Sequence, residues 1–277
     1  MRWILPVLLL TSCAKGSLPV DISKFAPRLS FQDVEVESID FRGMDTQFVF
    51  AIDNPNPVGL SVASFTYDLD LGGNGFVDGD SADGLALPAG GTADFMLPVN
   101  IVFADVIALV SNLGDASEVP FSLQGEFGFQ TPLGILKVPY QEEGMLPVLR
   151  APKVQLQGVR VDSFRPLQNS AVLAVDIDVT SKGGNELSLR QFDYGLSLAG
   201  ESVATGLVQE LATVGAGETQ TVTLPIELNL LGLGSSIVTA IRDKGPLQVG
   251  LTAGTTVGTP FGPLPFNVDE QASLRLQ

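Results

Sequence analysis

The sequence predicts a mainly β protein: two tandem β-sandwich domains, each carrying one short α-helix. Three observations predict it. Apolar residues recur with period two through most of the chain, a long block of sequence is written twice, and once per copy the period lengthens to that of a helix.

The duplication is read from four blocks in the same order. Phe65-x-Tyr67-x-Leu69-x-Leu71 matches Phe192-x-Tyr194-x-Leu196-x-Leu198 at an offset of 127 residues, and Leu60-x-Val62 matches Leu187-x-Leu189 at the same offset. Leu87-Pro-Ala-Gly90-Gly-Thr92 pairs with Val214-Gly-Ala-Gly217-Glu-Thr219, and Leu97-Pro98-Val99 with Leu224-Pro225-Ile226. Thr131-Pro132-Leu133-Gly134 pairs with Thr259-Pro260-Phe261-Gly262 at an offset of 128. A unit of about 120 residues is an ordinary domain size. The copies are placed at residues 29–149 and 153–277. Arg150-Ala151-Pro152 between them is too short for a flexible linker, so the two domains are expected to be packed or closely hinged.

Within each unit DVEVESIDF, FTYDLDL, ADFMLPV and FSLQGEFGF alternate apolar and polar residues, as half-buried antiparallel strands do. The second copy repeats this in QLQGVRV, AVLAVDIDV, FDYGLSL, TQTVTLPI and LQVGLTA. Gly-rich turns separate these runs at the spacing of a sandwich. Seven or so strands are expected per copy. The helices are expected in 103–114, with Ile107, Leu109, Val110 and Leu113 on one face, and in 233–245, with Ile237, Ala240 and Ile241. Gly114 and Gly245 would end them.

The N-terminus reads as a targeting segment. Arg2 is followed by an apolar run from Trp3 to Leu10, too short to cross a bilayer, which needs roughly 20 residues. Leu10-Thr11-Ser12-Cys13 resembles the bacterial lipobox. That resemblance implies a signal peptide over 1–12, a diacylglycerol thioether on Cys13 and acylation of the new N-terminus, with Ala14 resembling an outer-membrane sorting signal. Such an anchor is effectively permanent. It makes the membrane a partner and the cell envelope, at the periplasmic face of the outer membrane, the expected location. Residues 13–28 form the acylated cysteine and a stalk. From Ala14 to Arg28 it would reach roughly 50 Å when extended.

Cys13 is the chain's only cysteine, Trp3 its only tryptophan, and there is no histidine. Disulfides, imidazole bases and imidazole ligands are excluded for the mature chain. The full chain's charge is −16. Residues 29–149 hold 18 acids against Arg42 and Lys137, whereas residues 153–277 hold 12 acids and 8 bases. Phosphate backbones would repel such a chain, so nucleic acid is not an expected partner. With 45% hydrophobic residues it is expected to fold around real cores.

FVFAIDNPNPVGLSV, residues 48–62, sets two Asn-Pro pairs between apolar runs. Asn54 and Asn56 suit Asx-turns, while Pro55 and Pro57 stiffen the turn and remove donors. The second copy has Thr180-Ser-Lys-Gly-Gly-Asn185 here, read as two residues longer and without proline. A motif dispensable in one copy is read as a structural corner, not a catalytic one.

Strand, Asn54-Pro55-Asn56-Pro57, Leu60-x-Val62 and Phe65-x-Tyr67-x-Leu69 together resemble the late embryogenesis abundant type 2 group. That group is also called the water stress and hypersensitive response (WHy) domain. The resemblance covers both copies. It implies a fibronectin/immunoglobulin-like sandwich with one helix, and a non-catalytic role in protection or scaffolding under desiccation. The alternative from a different class is a carrier for lipid or another apolar ligand, kept open by a mean hydropathy of +0.30. A continuous lined groove would favour the carrier, two filled cores the protector. Envelope proteins are further expected partners.

The remaining candidate chemistry is sparse. Asp78, Asp80 and Asp83 in VDGDSADG (77–84) form the best metal candidate, yet the spacing is not that of an EF-hand and position twelve is Ala89. The segment is read as a solvated hairpin tip. Asp68 and Asp70 could serve as a glycosidase pair but alternate with inward residues, so they read as the wet face of a sheet. No Walker or dinucleotide fingerprint and no activated serine is present. No cofactor and no enzyme activity are expected.

Overall fold

A computed structural model describes residues 25–81, 84–132 and 134–277. Each half is a β-sandwich of one three-stranded and one larger antiparallel sheet, with a short helix at one end.

In the first half, β1 (Arg28–Ile39), β2 (Gly43–Asp53) and β6 (Thr92–Val102) form one sheet in the order β1-β2-β6. β3 (Leu60–Leu71), β4 (Asn74–Ser81), β7 (Glu118–Thr131) and β8 (Gly134–Pro147) form the other in the order β4-β3-β7-β8, with the two-residue β5 (Ala86–Leu87) against β3. α1 (Phe103–Leu109) follows β6. In the second half β9 (Lys153–Arg165), β10 (Ser170–Thr180) and β13 (Thr219–Asn229) make the three-stranded sheet. β11 (Leu187–Leu198), β12 (Glu201–Val214), β14 (Pro246–Thr259) and β15 (Gly262–Arg275) make the order β12-β11-β14-β15. α2 (Ser235–Asp243) occupies the place of α1. Strand for strand, the orders correspond.

The duplication extends to irregularities that composition does not reveal. In β1 the pairing with β2 skips Gln32 and Glu37, and in β9 the pairing with β10 skips Gln157 and Asp162. These positions are 125 residues apart, exposed and polar. β1 and β9 lie at sheet margins, where a bulge twists the strand and discourages pairing with another chain.

Period two fills the space between the sheets. In β3, Phe65, Leu69 and Leu71 are buried, while Thr66 and Asp68 are exposed. The first core is aromatic: Phe127 lies 4.6 Å from Phe65, 5.1 Å from Phe95, 5.3 Å from Tyr140 and 5.6 Å from Phe50, ring centre to ring centre. The second core is aliphatic, with Val175, Ile177, Leu196, Val249, Leu251 and Val257 at 0–1% exposure. Burying each such side chain contributes about 1.5–3 kcal/mol.

The helices depart from expectation in extent and phase. α1 ends at Leu109, before Gly114, and buries Phe103 and Val106, with Val110 and Leu113 continuing the face. Ile107, expected inward, is 36% exposed. Apolar residues occupy so many positions here that two helical phases fit the pattern. Direct entry from β6 into Phe103 selects the observed one. In α2 the expected Ile237 and Ile241 are buried, and the left-handed terminal residue is Lys244 (φ 52°), not Gly245.

The halves touch. Arg150 donates from Nη2 to the Gly114 carbonyl, and Phe41, in the β1–β2 loop, meets Phe266 of β15 edge-on at 5.8 Å. Gly184 lies against the first half so closely that an added Cβ would sit 2.9 Å from the Asp115 carbonyl oxygen. Gly184→Ala is therefore expected to weaken the contact between halves by about 1–3 kcal/mol, the usual penalty for overpacking. Faster proteolysis at 150–152, with each sandwich still folded, is the expected readout; an unchanged cleavage rate would show that the contact yields freely. Among the described residues no helix is long and apolar enough to cross a membrane.

Candidate functional site

The Asn-Pro corner joins β2 to β3, and its asparagines are buried, Asn54 completely and Asn56 to 7% exposure. The prolines between them, Pro55 and Pro57, are exposed. Asn54 uses its whole amide. Nδ2 donates to the Val58 carbonyl (3.0 Å) and the Pro88 carbonyl (2.9 Å), while Oδ1 accepts from the Asn56 backbone N–H (3.1 Å) and Asn56 Nδ2 (2.9 Å). Asn56 Nδ2 also donates to the Phe25 carbonyl at 2.8 Å. Backbone bonds from Asn54 N to Gly91 O (2.9 Å) and from Gly90 N to Asn56 O (2.8 Å) complete the hub. Three segments distant in sequence are thus tied together: the incoming chain at Phe25, the corner itself, and the turn before β6. A primary amide offers two donors and an acceptor with two lone pairs, so Asn54 has no capacity left for a ligand.

In the second half Ser181 stands where Asn54 does. Its N–H donates to the Glu218 carbonyl (2.9 Å), 127 residues on from the Asn54–Gly91 bond. Its hydroxyl reaches the Asn185 carbonyl at 3.0 Å, the counterpart of Val58 O. Six residues separate the strands in both copies, 54–59 and 181–186, which corrects the expectation of a longer second corner. What changes is the neighbour. The place of exposed Pro57 is taken by Gly184, against which the first half's backbone lies, so a proline ring would have no room there.

The acidic segment is also placed differently from the expectation. Asp78 and Asp80 are not on a hairpin tip but on β4, where Asp78 pairs with Asp68 and Asp80 with Thr66. The tip of this hairpin is Gly72-Gly73. Glycine-aspartate alternation reads as a loop by composition, but Tyr67 packs across Gly79, where a Cβ would lie 2.7 Å from its Oη. An aromatic ring laid over a cross-strand glycine holds such a strand in place. Tyr194 covers Gly206 in the same way 127 residues later. Among the described residues no group of three or more Asp, Glu, Cys or His is placed to hold a metal ion. Cys13 and Asp83 lie outside the described residues.

Sequence reasoning missed a groove that recurs in both halves. On the first it has a volume of about 640 Å³ and is lined by Asp68, Gln124, Glu126 and Gln141, with Tyr67 and Tyr140 at its base. On the second a groove of about 500 Å³ is lined by their counterparts Gly195, Thr252, Gly254 and Asp269, with Tyr194 and Val268. The available signal was the shared offset of Tyr67 and Tyr194, which line the two grooves. Tyr140 donates to the Thr66 carbonyl at 3.0 Å. Burial, with Tyr67 nearby as a smaller cause, raises its phenol well above the ordinary value, so it stays a protonated donor. The groove is open, and Asp68 and Glu126 stand among the residues that line it.

The fold resembles a late embryogenesis abundant (LEA) protein, At2g46140.1, seen in solution, at 21% identity over 44% of this chain and 71% of that one, with a TM-score of 0.38. AT1g01470 from Arabidopsis thaliana aligns at 15% identity over 50% of this chain and 92% of that one, with a TM-score of 0.39. A protein from Archaeoglobus fulgidus aligns at 9% identity over 43% and 98%, with a TM-score of 0.34. No curated protein matches the chain. The sequence profile of the late embryogenesis abundant protein family, LEA_2, matches residues 49–144 and again residues 167–271, and the chain therefore belongs to that family.

Proposed function

We propose that the protein is a non-catalytic, envelope-anchored LEA_2 protein that protects or scaffolds its surroundings under water stress. The observation that carries this reading is the corner. The family's most distinctive residues in this chain, Asn54 and Asn56, are buried and committed to holding the sandwich together. Filled cores support it as well: Phe50, Phe65, Phe127 and Tyr140 occupy the space where an apolar ligand would have to enter the first half. The test is loss of the gene, with survival measured through drying and rewetting. Survival equal to that of the parent strain would remove the protective role.

The anchor is tested separately. Cys13→Ser is expected to leave an uncleaved precursor without lipid, because only the thiol accepts the diacylglycerol. Labelled palmitate should enter the wild-type chain, and its failure to do so would refute the lipobox reading. A second reading, a ligand carrier, is favoured by the groove that recurs in both halves. Native mass spectrometry of envelope-extracted protein separates the two: a bound small molecule would favour the carrier, and bare protein the scaffold.

A further inference from the structure

The halves meet through a loop that the second half also possesses but leaves uncovered. Between β1 and β2, Asp40 accepts from the backbone N–H groups of Arg42 (2.6 Å) and Gly43 (3.1 Å) and from the Arg42 guanidinium (2.7 and 2.9 Å). This clamp presents Phe41 to Phe266 of β15, and Leu264 beside it packs against the first core. The second copy has a loop at this place that is one residue longer, wound as a 3-10 turn over Pro166–Gln168 and without the Asp40 clamp, but closed by the same backbone bond. Phe103 N donates to Arg42 O at 2.8 Å, and Leu230 N, 127 residues later, donates to Asn169 O at 2.8 Å. At its apex stands Leu167, between Pro166 and the left-handed Asn169 (φ 52°), and the adjoining turn contributes Leu231. Leu167 is 99% exposed and Leu231 75%. On the receiving side, Leu264 and Phe266 of β15 correspond to Leu136 and Val138 of β8, both half-buried, 128 residues earlier. One plug and one socket meet inside the chain, and a second plug and a second socket remain.

The geometry points to head-to-tail self-association, in which the Leu167/Leu231 tip of one copy docks on Leu136 and Val138 of a second copy. Single exposed leucines are ordinary on a protein surface. Two on adjoining loops, where the sister loop is docked, mark an interaction site. The charges suit this pairing. The tip belongs to the less acidic half and carries exposed Arg165, and it would meet the half whose net charge is −16, where Lys137, between Leu136 and Val138, is paired with Glu126 at 2.7 Å. Such a contact is heterologous, so a docked pair still offers one free tip and one free β8, and open chains or closed rings follow in place of symmetric dimers. A patch this small gives weak association.

Sedimentation equilibrium of residues 14–277, which carry neither the apolar leader nor an acyl chain, tests this up to about 1 mM protein. The weight-average mass is expected to rise with concentration. Leu167→Asp and Leu136→Gln should each weaken association at least ~10-fold. Leu167→Asp alters a side chain in open solvent, so its melting curve should match the parent's. An equimolar mixture of the two variants should form a one-to-one pair and stop, because one keeps its socket and the other its tip. A parent chain that stays monomeric, association that survives Leu167→Asp, or variants that fail to pair would each overturn the proposal. So would a monomeric parent that floats with phosphatidylglycerol vesicles through Leu167, which would make the tip a membrane contact.

Discussion

Asn54→Ala is expected to destabilise the first sandwich by about 3–5 kcal/mol, an effect at the upper end for a single side chain. The substitution leaves the carbonyls of Val58 and Pro88 and two N–H donors of Asn56 without their partner. A buried polar group so deprived costs about 1–3 kcal/mol. Val58 is 51% exposed, so water relieves part of the loss, which holds the total below the simple sum. Ser181→Ala in the second half removes one 3.0 Å bond to Asn185 O and a long 3.5 Å contact to Gly183 O, and about 1 kcal/mol is expected. Alanine at exposed Pro55 or Pro57 acts through the freedom of the unfolded chain, about 0.4–1 kcal/mol each. Thermal unfolding followed by amide exchange at Asn56 and Gly90 would separate these cases. A first half that melts within a degree or two of the parent after Asn54→Ala would show that the hub is not what holds the corner.

The same residues show how much the sequence makes legible. The offset of 127 between Phe65-x-Tyr67 and Phe192-x-Tyr194 discloses the duplication, because inward positions tolerate only apolar side chains and so preserve the pattern. Asn54 and Asn56 are identifiable as a corner because proline forbids strand continuation on either side of them. The bonds they make are not legible, since Phe25 and Pro88 reach them only through the fold. Local composition misleads where a distant partner decides. Asp78 and Asp80 look like loop residues until Tyr67 lies over Gly79. Ile107 looks inward until β6 fixes the phase of α1. The contact of Phe41 with Phe266 has no local trace at all, because it depends on which ends of the two sandwiches meet.

Phe127→Ala is the core change with the largest expected effect, about 3–5 kcal/mol on the first half. Phe127 is fully buried on β7, central between β3 and β8, and four rings lie within 4.6–5.6 Å of its centre. Several of these pairs are edge-on or tilted, arrangements that stabilise beyond area burial by about 0.5–1.5 kcal/mol each. Their removal opens a cavity that Phe65, Phe95 and Tyr140 cannot fill without leaving their own contacts, so little relaxation is expected. The duplication supplies the control. At the equivalent position the second half has Thr255, 6% exposed, whose hydroxyl donates to the Arg190 carbonyl at 2.9 Å. Its aliphatic core therefore does not depend on a ring there, and Thr255→Ala should cost only about 1–3 kcal/mol, the range for a buried carbonyl that loses its donor. Exchange-detected unfolding should show the first half destabilised by Phe127→Ala and the second by Thr255→Ala, each far more than its neighbour. If Phe127→Ala lowers both halves equally, the two sandwiches unfold as one unit and the contact through Phe41 is stronger than a docking surface of that size implies.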